Sequence, residues 1–317
     1  MKLHNDAEVF TALIRNTAEH FELPDTFVEK DYYISLLLKS IQEKFPNIAF
    51  KGGTSLSKCH KVISRFSEDI DLAFYDENVE GKPTRGQRKL LKKAVVDAIE
   101  ETGLIHSNPE DTRSRKEFNK YEIEYEGIDA IENGFMREHL LIETYVFLQP
   151  FPCSDEMFCS YIGEYLQQSD EYNHLADQFK LQPFLIKTQS LERTFIDKIF
   201  AICDYHETGK IQRNSRHLYD IHKIWTSGKL DKAEMSMLFS DVAAERRKLS
   251  EDINPSASIG YEFVTSLEKI IHNGFYEKDY IEITQNLLYR SKEVSYEDAL
   301  NSLKEIISIN VLPKTVS

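Results

Sequence analysis

The chain has 317 residues, and its 39 Lys and Arg against 53 Asp and Glu leave a formal net charge of −14 at pH 7. Apolar residues make up 41% and charged residues 29%, a balance that is typical of a folded globular protein and excludes a disordered or fibrous one. A chain of this length predicts about two domains. The acidic balance argues against a protein that coats nucleic acid non-specifically, although a local basic site remains compatible with it.

Membrane and secretion signals are not visible in the sequence. It contains no run of about 18 or more apolar residues, and residues 1–6 lack the apolar region of a signal peptide. The four cysteines include no Cys-x-x-Cys pair, which predicts reduced thiols. We therefore expect a cytoplasmic protein with neither a membrane nor DNA as a partner.

The first part of the chain predicts a mixture of helices and strands. Apolar spacing predicts helices over 6–21, 25–41 and 83–103, and strands over 48–50, 70–74, 120–126, 139–148 and 178–187. Thr26 and Glu29 have the spacing of a capping pair at the start of the second helix. Two glycines after the first strand predict a turn, with a further helix opening near Thr54.

From about Leu191 onward the pattern becomes almost purely helical. The predicted helices cover 191–206, 215–227, 231–248, 260–273, 277–291 and 296–308. A mixed half followed by a helical half predicts an α+β protein with a boundary near residue 188. We predict one domain over 1–188, with a small mixed sheet, and an all-helical domain over 189–317.

The first motif that carries chemistry is the run Gly52, Gly53, Thr54 and Ser55. Glycines let a backbone approach a phosphate closely, and the free N–H groups of an opening helix attract its charge. The hydroxyls of the two following residues add donors. The alternative is a tight strand-to-helix turn without a ligand.

Asp69 and Asp71 form the second motif, on a predicted strand. Two residues apart, their carboxylates project from the same face and repel each other unless a cation lies between them. Hard oxygen ligands of this kind suit Mg²⁺, which bridges carboxylates to substrate phosphates. The alternative is a solvated strand face, but the glycine motif just upstream favours a metal site.

Several segments together resemble the nucleotidyltransferases of the AbiEii/AbiGii toxin family. They are residues 29–33, 50–58 (Phe-Lys-Gly-Gly-Thr-Ser-Leu-Ser-Lys), 65–72 (Arg-Phe-Ser-Glu-Asp-Ile-Asp-Leu), 191–198 and 216–220. The resemblance implies a polymerase-β-like nucleotidyltransferase fold for the first half and an NTP as substrate. It also implies a toxin of a bacterial toxin–antitoxin or phage-defence system, with a cognate antitoxin. Some members of the family modify the acceptor end of tRNA.

The same resemblance assigns roles in the later motifs. It implies that Lys198 neutralises the triphosphate and that Asp220 orients it or contacts the nucleotide. Arg193 and Ser67 join the glycine motif as nucleotide-binding residues. The alternative for Lys198 and Asp220 is a salt bridge between two helices at the surface. Asp197 stands where many relatives have Glu, which keeps the charge and shortens its reach.

The resemblance also implies a third carboxylate on a later strand, which is usual in the polymerase-β-like nucleotidyltransferase superfamily. Glu143, acidic in an otherwise apolar strand, is the candidate, because burying an unpaired carboxylate there would be costly. Glu122 and Glu124, on the neighbouring predicted strand, are the other candidates for this third carboxylate. In the alternative interpretation, Glu143 faces solvent and has no role in the site.

The sequence thus predicts a metal-dependent nucleotidyltransferase. Asp69 and Asp71, with Glu143 as a further ligand, would hold two Mg²⁺ ions, and an NMP group would pass from an NTP to an acceptor with release of pyrophosphate. RNA, at the acceptor end of tRNA, is the preferred acceptor. Transfer of NMP onto a protein side chain and an idle nucleotide-binding module are the alternatives.

Two basic segments are candidates for contacts with RNA phosphates. The first is the start of the helix predicted over 83–103, and the second is the loop over 210–216. A solvated helix face is the alternative for the first segment.

Overall fold

The computed structural model describes residues 2–77, 81–128, 138–169, 173–249, 253–289 and 294–317. The chain forms two compact units. The first contains Met1–His60 and Phe66–Thr188, and the second contains Lys61–Arg65 and Gln189–Ser317. The predicted α+β class is confirmed, with a mixed sheet and many helices. The division into a nucleotidyltransferase domain over 1–188 and a helical domain over 189–317 stays a prediction.

A seven-stranded mixed sheet organises the first unit. Its strands are β1 Ile48–Lys51, β2 Asp69–Phe74, β3 Ile105–His106, β4 Phe118–Glu124, β5 Leu140–Tyr145, β6 Cys153–Phe158 and β7 Phe184–Gln189. They are arranged in the order β3-β4-β5-β2-β1-β7-β6. Strand β2 runs antiparallel to β1 and parallel to β5, and β1 runs parallel to β7.

The central strands carry their charged side chains on one face. Ile70 and Leu72 of β2 and Ile142 of β5 are fully buried on one face, and each such side chain contributes about 1.5–3 kcal/mol when it leaves water. Asp71 and Glu143 lie on the other face and are half-buried. The strand alternation predicted around Asp71 is therefore confirmed, and it leaves a polar face at the middle of the sheet.

The helices of the first unit confirm most predictions and correct two. They are α1 Ala7–Phe21, α2 Asp25–Lys44, α3 Gly52–Lys58, α4 Arg85–Thr102, α5 Tyr161–Gln167 and α6 Asn173–Gln178. Helix α2 begins after Pro24 without a side-chain cap. The predicted capping role of Thr26 and Glu29 is wrong, because the helix begins at Asp25, before Thr26. The Glu29 carboxylate is buried and accepts a hydrogen bond from the Ile128 N–H at 3.0 Å. Helix α3 begins at Gly52 itself, not near Thr54.

The second unit contains α7 Leu191–Glu207, α8 Arg216–Thr226, α9 Lys232–Arg246, α10 Phe263–Asn273, α11 Glu277–Asp279 and α12 Tyr296–Ser308. The helix predicted over 277–291 is irregular: α11 passes into a π-helical turn over Tyr280–Thr284 and a 3-10 turn over Gln285–Leu287. Its last two predicted positions, 290 and 291, lie outside the described residues. Among the described helices none is both long and apolar enough to cross a bilayer.

Candidate active site

A row of charged side chains crosses the polar face of the sheet. Asp71 and Glu143 are register partners on the parallel strands β2 and β5, so their side chains project from the same side about 4.8 Å apart along the row. Asp69 lies two residues earlier on the same face of β2. Lys51 of β1 is the register partner of Asp71 on one side, and Lys120 of β4 is the partner of Glu143 on the other.

The register favours Glu143 over the two carboxylates that compete with it in the sequence. Glu122 forms an ion pair with Lys120 at 3.0 Å. Glu124 lies opposite Ile105 of the edge strand β3 and is exposed. Glu143 alone of the three stands directly beside Asp71.

The glycine motif lies against the aspartate motif. Gly52 has a φ of +79°, and a Cβ added to it would stand 2.0 Å from Oδ2 of Asp71. Only glycine combines this left-handed conformation with so close an approach. The Thr54 hydroxyl donates to the carbonyl oxygen of Asp69 at 2.7 Å, which ties α3 to the start of β2. The structure therefore brings together the two motifs that the sequence paired.

The hydroxyls of this motif hold the turn. Besides the bond from Thr54, the Ser55 hydroxyl donates to the carbonyl oxygen of Gly52 at 2.9 Å. Both hydroxyl hydrogens are thus used on backbone carbonyls, so the donors that this turn offers are backbone N–H groups. Gly53 follows in the same short helix, and Ser67 is half-buried two residues before β2.

Tyr145 lies next to the row, on the same face of the sheet, although no sequence motif indicates it. Its hydroxyl donates to Oε2 of Glu143, and the Lys51 ammonium lies 3.8 Å from the centroid of its ring. The tyrosine therefore fixes the direction of the Glu143 carboxylate. The signal that could have revealed it is the strand alternation, which places Tyr145 two residues after Glu143 on the same face.

The chemistry of these side chains suits Mg²⁺. This ion takes oxygen ligands, typically one or two carboxylates with waters and substrate phosphates. Within the described ranges, no group of three or more His, Cys, Asp and Glu side chains gathers closely enough to hold a metal ion. Asp69 and Asp71 completed by substrate phosphates fit the requirement, and the participation of Glu143 as a ligand stays a prediction.

Asp220 is the centre of a separate cluster in the second unit. Its carboxylate is fully buried and accepts hydrogen bonds from Nε and Nη2 of Arg65, each at 2.7 Å. The Lys198 ammonium lies 2.6 Å from Oδ2 of the same carboxylate. The alternative interpretation, a salt bridge between two helices, is therefore confirmed for the pair, but its predicted place at the surface is wrong, because both side chains are buried and Arg65 is a third member.

Charge and burial oppose each other in this cluster. Burial by itself would raise the pKa of the Asp220 carboxyl, but the Arg65 guanidinium and the Lys198 ammonium hold that pKa well below its usual range. Burial lowers the pKa of Lys198, and Arg65 adds to this effect while Asp220 opposes it. Asp220 is therefore ionised at neutral pH.

Arg193 is also buried in the second unit, with 1% of its surface exposed. Its Nε lies 3.1 Å from Oδ2 of Asp197, whose other oxygen lies 3.2 Å from Nη1 of Arg246. Asp197 thus contacts two arginines, although its side chain is shorter than the Glu that many relatives have at this position. Nucleotide-binding roles for Arg193 and Lys198, and the catalytic role of Asp220, stay predictions.

Comparison with known proteins adds independent findings. The family model described as nucleotidyl transferase AbiEii toxin, type IV toxin–antitoxin system, matches residues 35–306. No curated protein sequence matches the chain. The structure is similar to that of MenT4, described as nucleotidyltransferase toxin Rv2826c from Mycobacterium tuberculosis H37Rv, with a TM-score of 0.53 and 16% identity. The similarity covers 93% of this chain and 88% of the other, and at this identity it concerns the fold alone.

Proposed function

From the premise that this chain belongs to the AbiEii family of nucleotidyltransferase toxins of type IV toxin–antitoxin systems, we propose that it transfers NMP from an NTP to RNA. Family membership makes it an enzyme with an NTP substrate and an antitoxin partner. The proposal adds dependence on Mg²⁺ and an RNA acceptor, preferably the acceptor end of tRNA.

One observation carries the Mg²⁺ part of the proposal. The Asp71 carboxylate stands between the glycine turn, which it touches at Gly52, and Glu143 on the neighbouring strand. A triphosphate held at that turn would lie beside carboxylates that repel it unless divalent cations intervene. When held by Asp69 and Asp71, Mg²⁺ would neutralise phosphate charge and lower the pKa of an attacking hydroxyl.

The transfer step exchanges one phosphoester bond for another. The oxygen of an acceptor hydroxyl attacks the α-phosphorus in line, and the bond from that phosphorus to the bridging oxygen of the β-phosphate breaks. Pyrophosphate leaves with the bonding electron pair, and the hydroxyl proton passes to a carboxylate of the polar face or to water. Backbone N–H groups after Gly52 would stabilise the charge on the phosphate oxygens.

The second unit carries the later family motifs. Two cations, Arg65 and Lys198, contact the single carboxylate of Asp220. In the proposal, the Lys198 ammonium neutralises charge of the triphosphate, as the family resemblance implies. Lys198→Ala is then expected to weaken NTP binding, because a hydrogen bond to a charged group contributes about 1.5–3 kcal/mol.

Incubation of the purified protein with each α-³²P-labelled NTP, Mg²⁺, total RNA and cell lysate tests the proposal. We expect label on RNA, and we expect Asp69→Asn and Asp71→Asn to abolish it with the fold intact. Asp241→Asn, an exposed position on α9, is the matched control. Label on protein would support NMP transfer to a side chain instead, and absence of label would support the idle module.

A further inference from the structure

We propose that a basic cavity beside the start of α4 binds the phosphodiester backbone of the acceptor RNA, an inference that rests on the proposed function and extends it to a docking site. The cavity has a volume of about 570 Å³. Its lining residues are Arg85, Arg88, Lys92, Arg113, Ser114 and Arg115. Five of these six side chains are cationic, in a chain whose net charge is −14.

The positive charge of this cavity is largely uncompensated. Among the described residues, the one ion pair that its cations make is between Arg113 and Glu110, at 3.9 Å, and that glutamate is 92% exposed. A pair so open to water contributes little. An anion that enters the cavity would therefore meet cations of which only Arg113 forms an ion pair within the described part of the chain.

The basic residues at the start of α4 lie at the positive end of the helix dipole. The positive end of the helix dipole favours acidic residues in the first turns, but residues 85–93 contain five basic residues and no acidic one, and the first turn has no acid. Such an arrangement is locally unfavourable for stability. A local conflict of this kind is expected where a function requires the charge.

Backbone carbonyls hold the cations in place without neutralising them. The Lys92 ammonium donates to the carbonyl oxygen of Thr112 at 2.8 Å, and Nη1 of Arg113 donates to the same oxygen at 3.1 Å. The Nε of Arg88 is buried without a hydrogen-bond partner among the described residues. Buried donors are normally paired, so this N–H is a donor that a phosphate oxygen can satisfy.

The position of the cavity suits an acceptor rather than the NTP. Arg115 precedes Lys120 of β4 by five residues, which span at most about 18 Å. Lys120 lies two strands from Asp71 in the same row, about 10 Å away. The cavity thus lies within about 28 Å of the carboxylates, in the same unit. In the proposed function the triphosphate binds at the glycine turn. A second cationic site in this unit is therefore available for the phosphates of the acceptor RNA.

Fluorescence anisotropy with labelled RNA over a range of salt concentrations tests this inference. The RNA is a hairpin with a single-stranded 3′ end, and the full-length protein carries Asp71→Asn so that binding is measured apart from transfer. We expect the triple substitution Arg88→Gln, Lys92→Gln and Arg115→Gln to weaken RNA binding about 10- to 100-fold. It should lower the slope of log affinity against log salt by about 2–3, since each phosphate contact contributes about one unit.

One control and one single variant separate the effect of the cavity from general effects of net charge. Lys269→Gln, at an exposed position of α10, changes the net charge by one unit elsewhere and should leave the slope unchanged. Arg115→Gln alone removes an exposed side chain and should lower the slope by about one, which keeps the test valid if the triple variant does not fold. NTP affinity should be unchanged in both.

Two outcomes would overturn the inference. They are RNA binding by the triple variant with wild-type affinity and slope, and loss of NTP affinity in parallel with RNA affinity. Label on RNA from wild-type protein, together with the first outcome, would leave the proposed function standing and remove only this docking site. Absence of label on RNA would instead remove the proposed acceptor.

Discussion

At the scale of single residues, Asp71 is constrained from three directions. Gly52 lies against its carboxylate, Glu143 stands beside it on β5, and Lys51 stands beside it on β1. Two neighbouring carboxylates disfavour each other's charge, and a neighbouring ammonium favours it. The contact with Gly52 and the two register partners therefore fix the position of the Asp71 side chain.

Gly52→Ala tests how strictly that place is defined. The added methyl group would stand 2.0 Å from Oδ2 of Asp71, so the carboxylate must move. Misplacement of a catalytic group by about 1 Å can cost about 100-fold in rate, and we expect a loss of that order in NMP transfer. Steady-state transfer assays with labelled NTP measure it.

Gly103→Ala is the matched control for this change. Gly103 has a φ of +75°, close to that of Gly52, but an added Cβ would meet nothing within 4 Å. Both variants should lose about 1 kcal/mol of stability from the left-handed backbone. Equal transfer rates in the two variants would show that contact with Asp71 does not matter for the reaction.

At the scale of elements, short strands and their anchors decide where the carboxylates lie. Glu68, immediately before β2, forms a buried ion pair with Lys30 of α2 at 2.9 Å. Thr54 of α3 holds the next residue, Asp69, through its carbonyl oxygen. The start of β2 is therefore fixed by two helices, which explains how a six-residue strand can hold charged side chains in register with β5.

The cluster of Arg65, Lys198 and Asp220 predicts a specific pH dependence of stability. The folded-state pKa of Asp220 is depressed, so its contribution is present above the unfolded-state pKa of about 3.9 and is lost as pH falls toward the folded-state value. Asp220→Asn should cost about 3–5 kcal/mol at pH 7, because it removes one charged partner of a buried ion pair. Denaturant unfolding at pH 7 and at pH 3 measures both effects.

The difference in unfolding free energy between wild type and Asp220→Asn should shrink as pH falls below about 4. The Asp220 carboxyl then takes up a proton in the unfolded chain but stays ionised in the folded one, which favours unfolding of the wild type. A difference that stays constant down to pH 3 would mean that Asp220 does not provide the ionised partner. Asp241→Asn, at an exposed position, is the control for the loss of one carboxylate elsewhere on the chain.

The sequence could predict the elements whose signals are local. Helix α12 was predicted over its observed span, since its apolar stripe is regular and Ser295 and Asp298 form a capping box at its start. Strand β6 was not predicted, because it combines polar residues with partial exposure and shows no clear alternation. Arg65 was missed as a partner of Asp220, since the two are separated by 155 residues and only the tertiary fold joins them.

At the scale of the whole molecule, toxicity should depend on the same carboxylates as the chemistry. Expression of the wild-type chain in a bacterial host without an antitoxin is expected to arrest growth. Expression of the Asp71→Asn variant is expected to permit growth, because that variant keeps the fold but loses the proposed transfer activity. Growth curves at matched levels of soluble protein measure the difference. Equal growth of the two strains would show that toxicity does not depend on the proposed transfer.

The composition of the second unit has a genetic consequence. Its core takes Arg65 from a five-residue stretch, Lys61–Arg65, that is encoded between α3 and β2, well ahead of the rest of the unit. A single recombination crossover at residue 189 would move Asp220 and Lys198 to a new gene and leave their arginine behind. Exchange of this module between relatives therefore requires the recipient to encode a compatible arginine of its own.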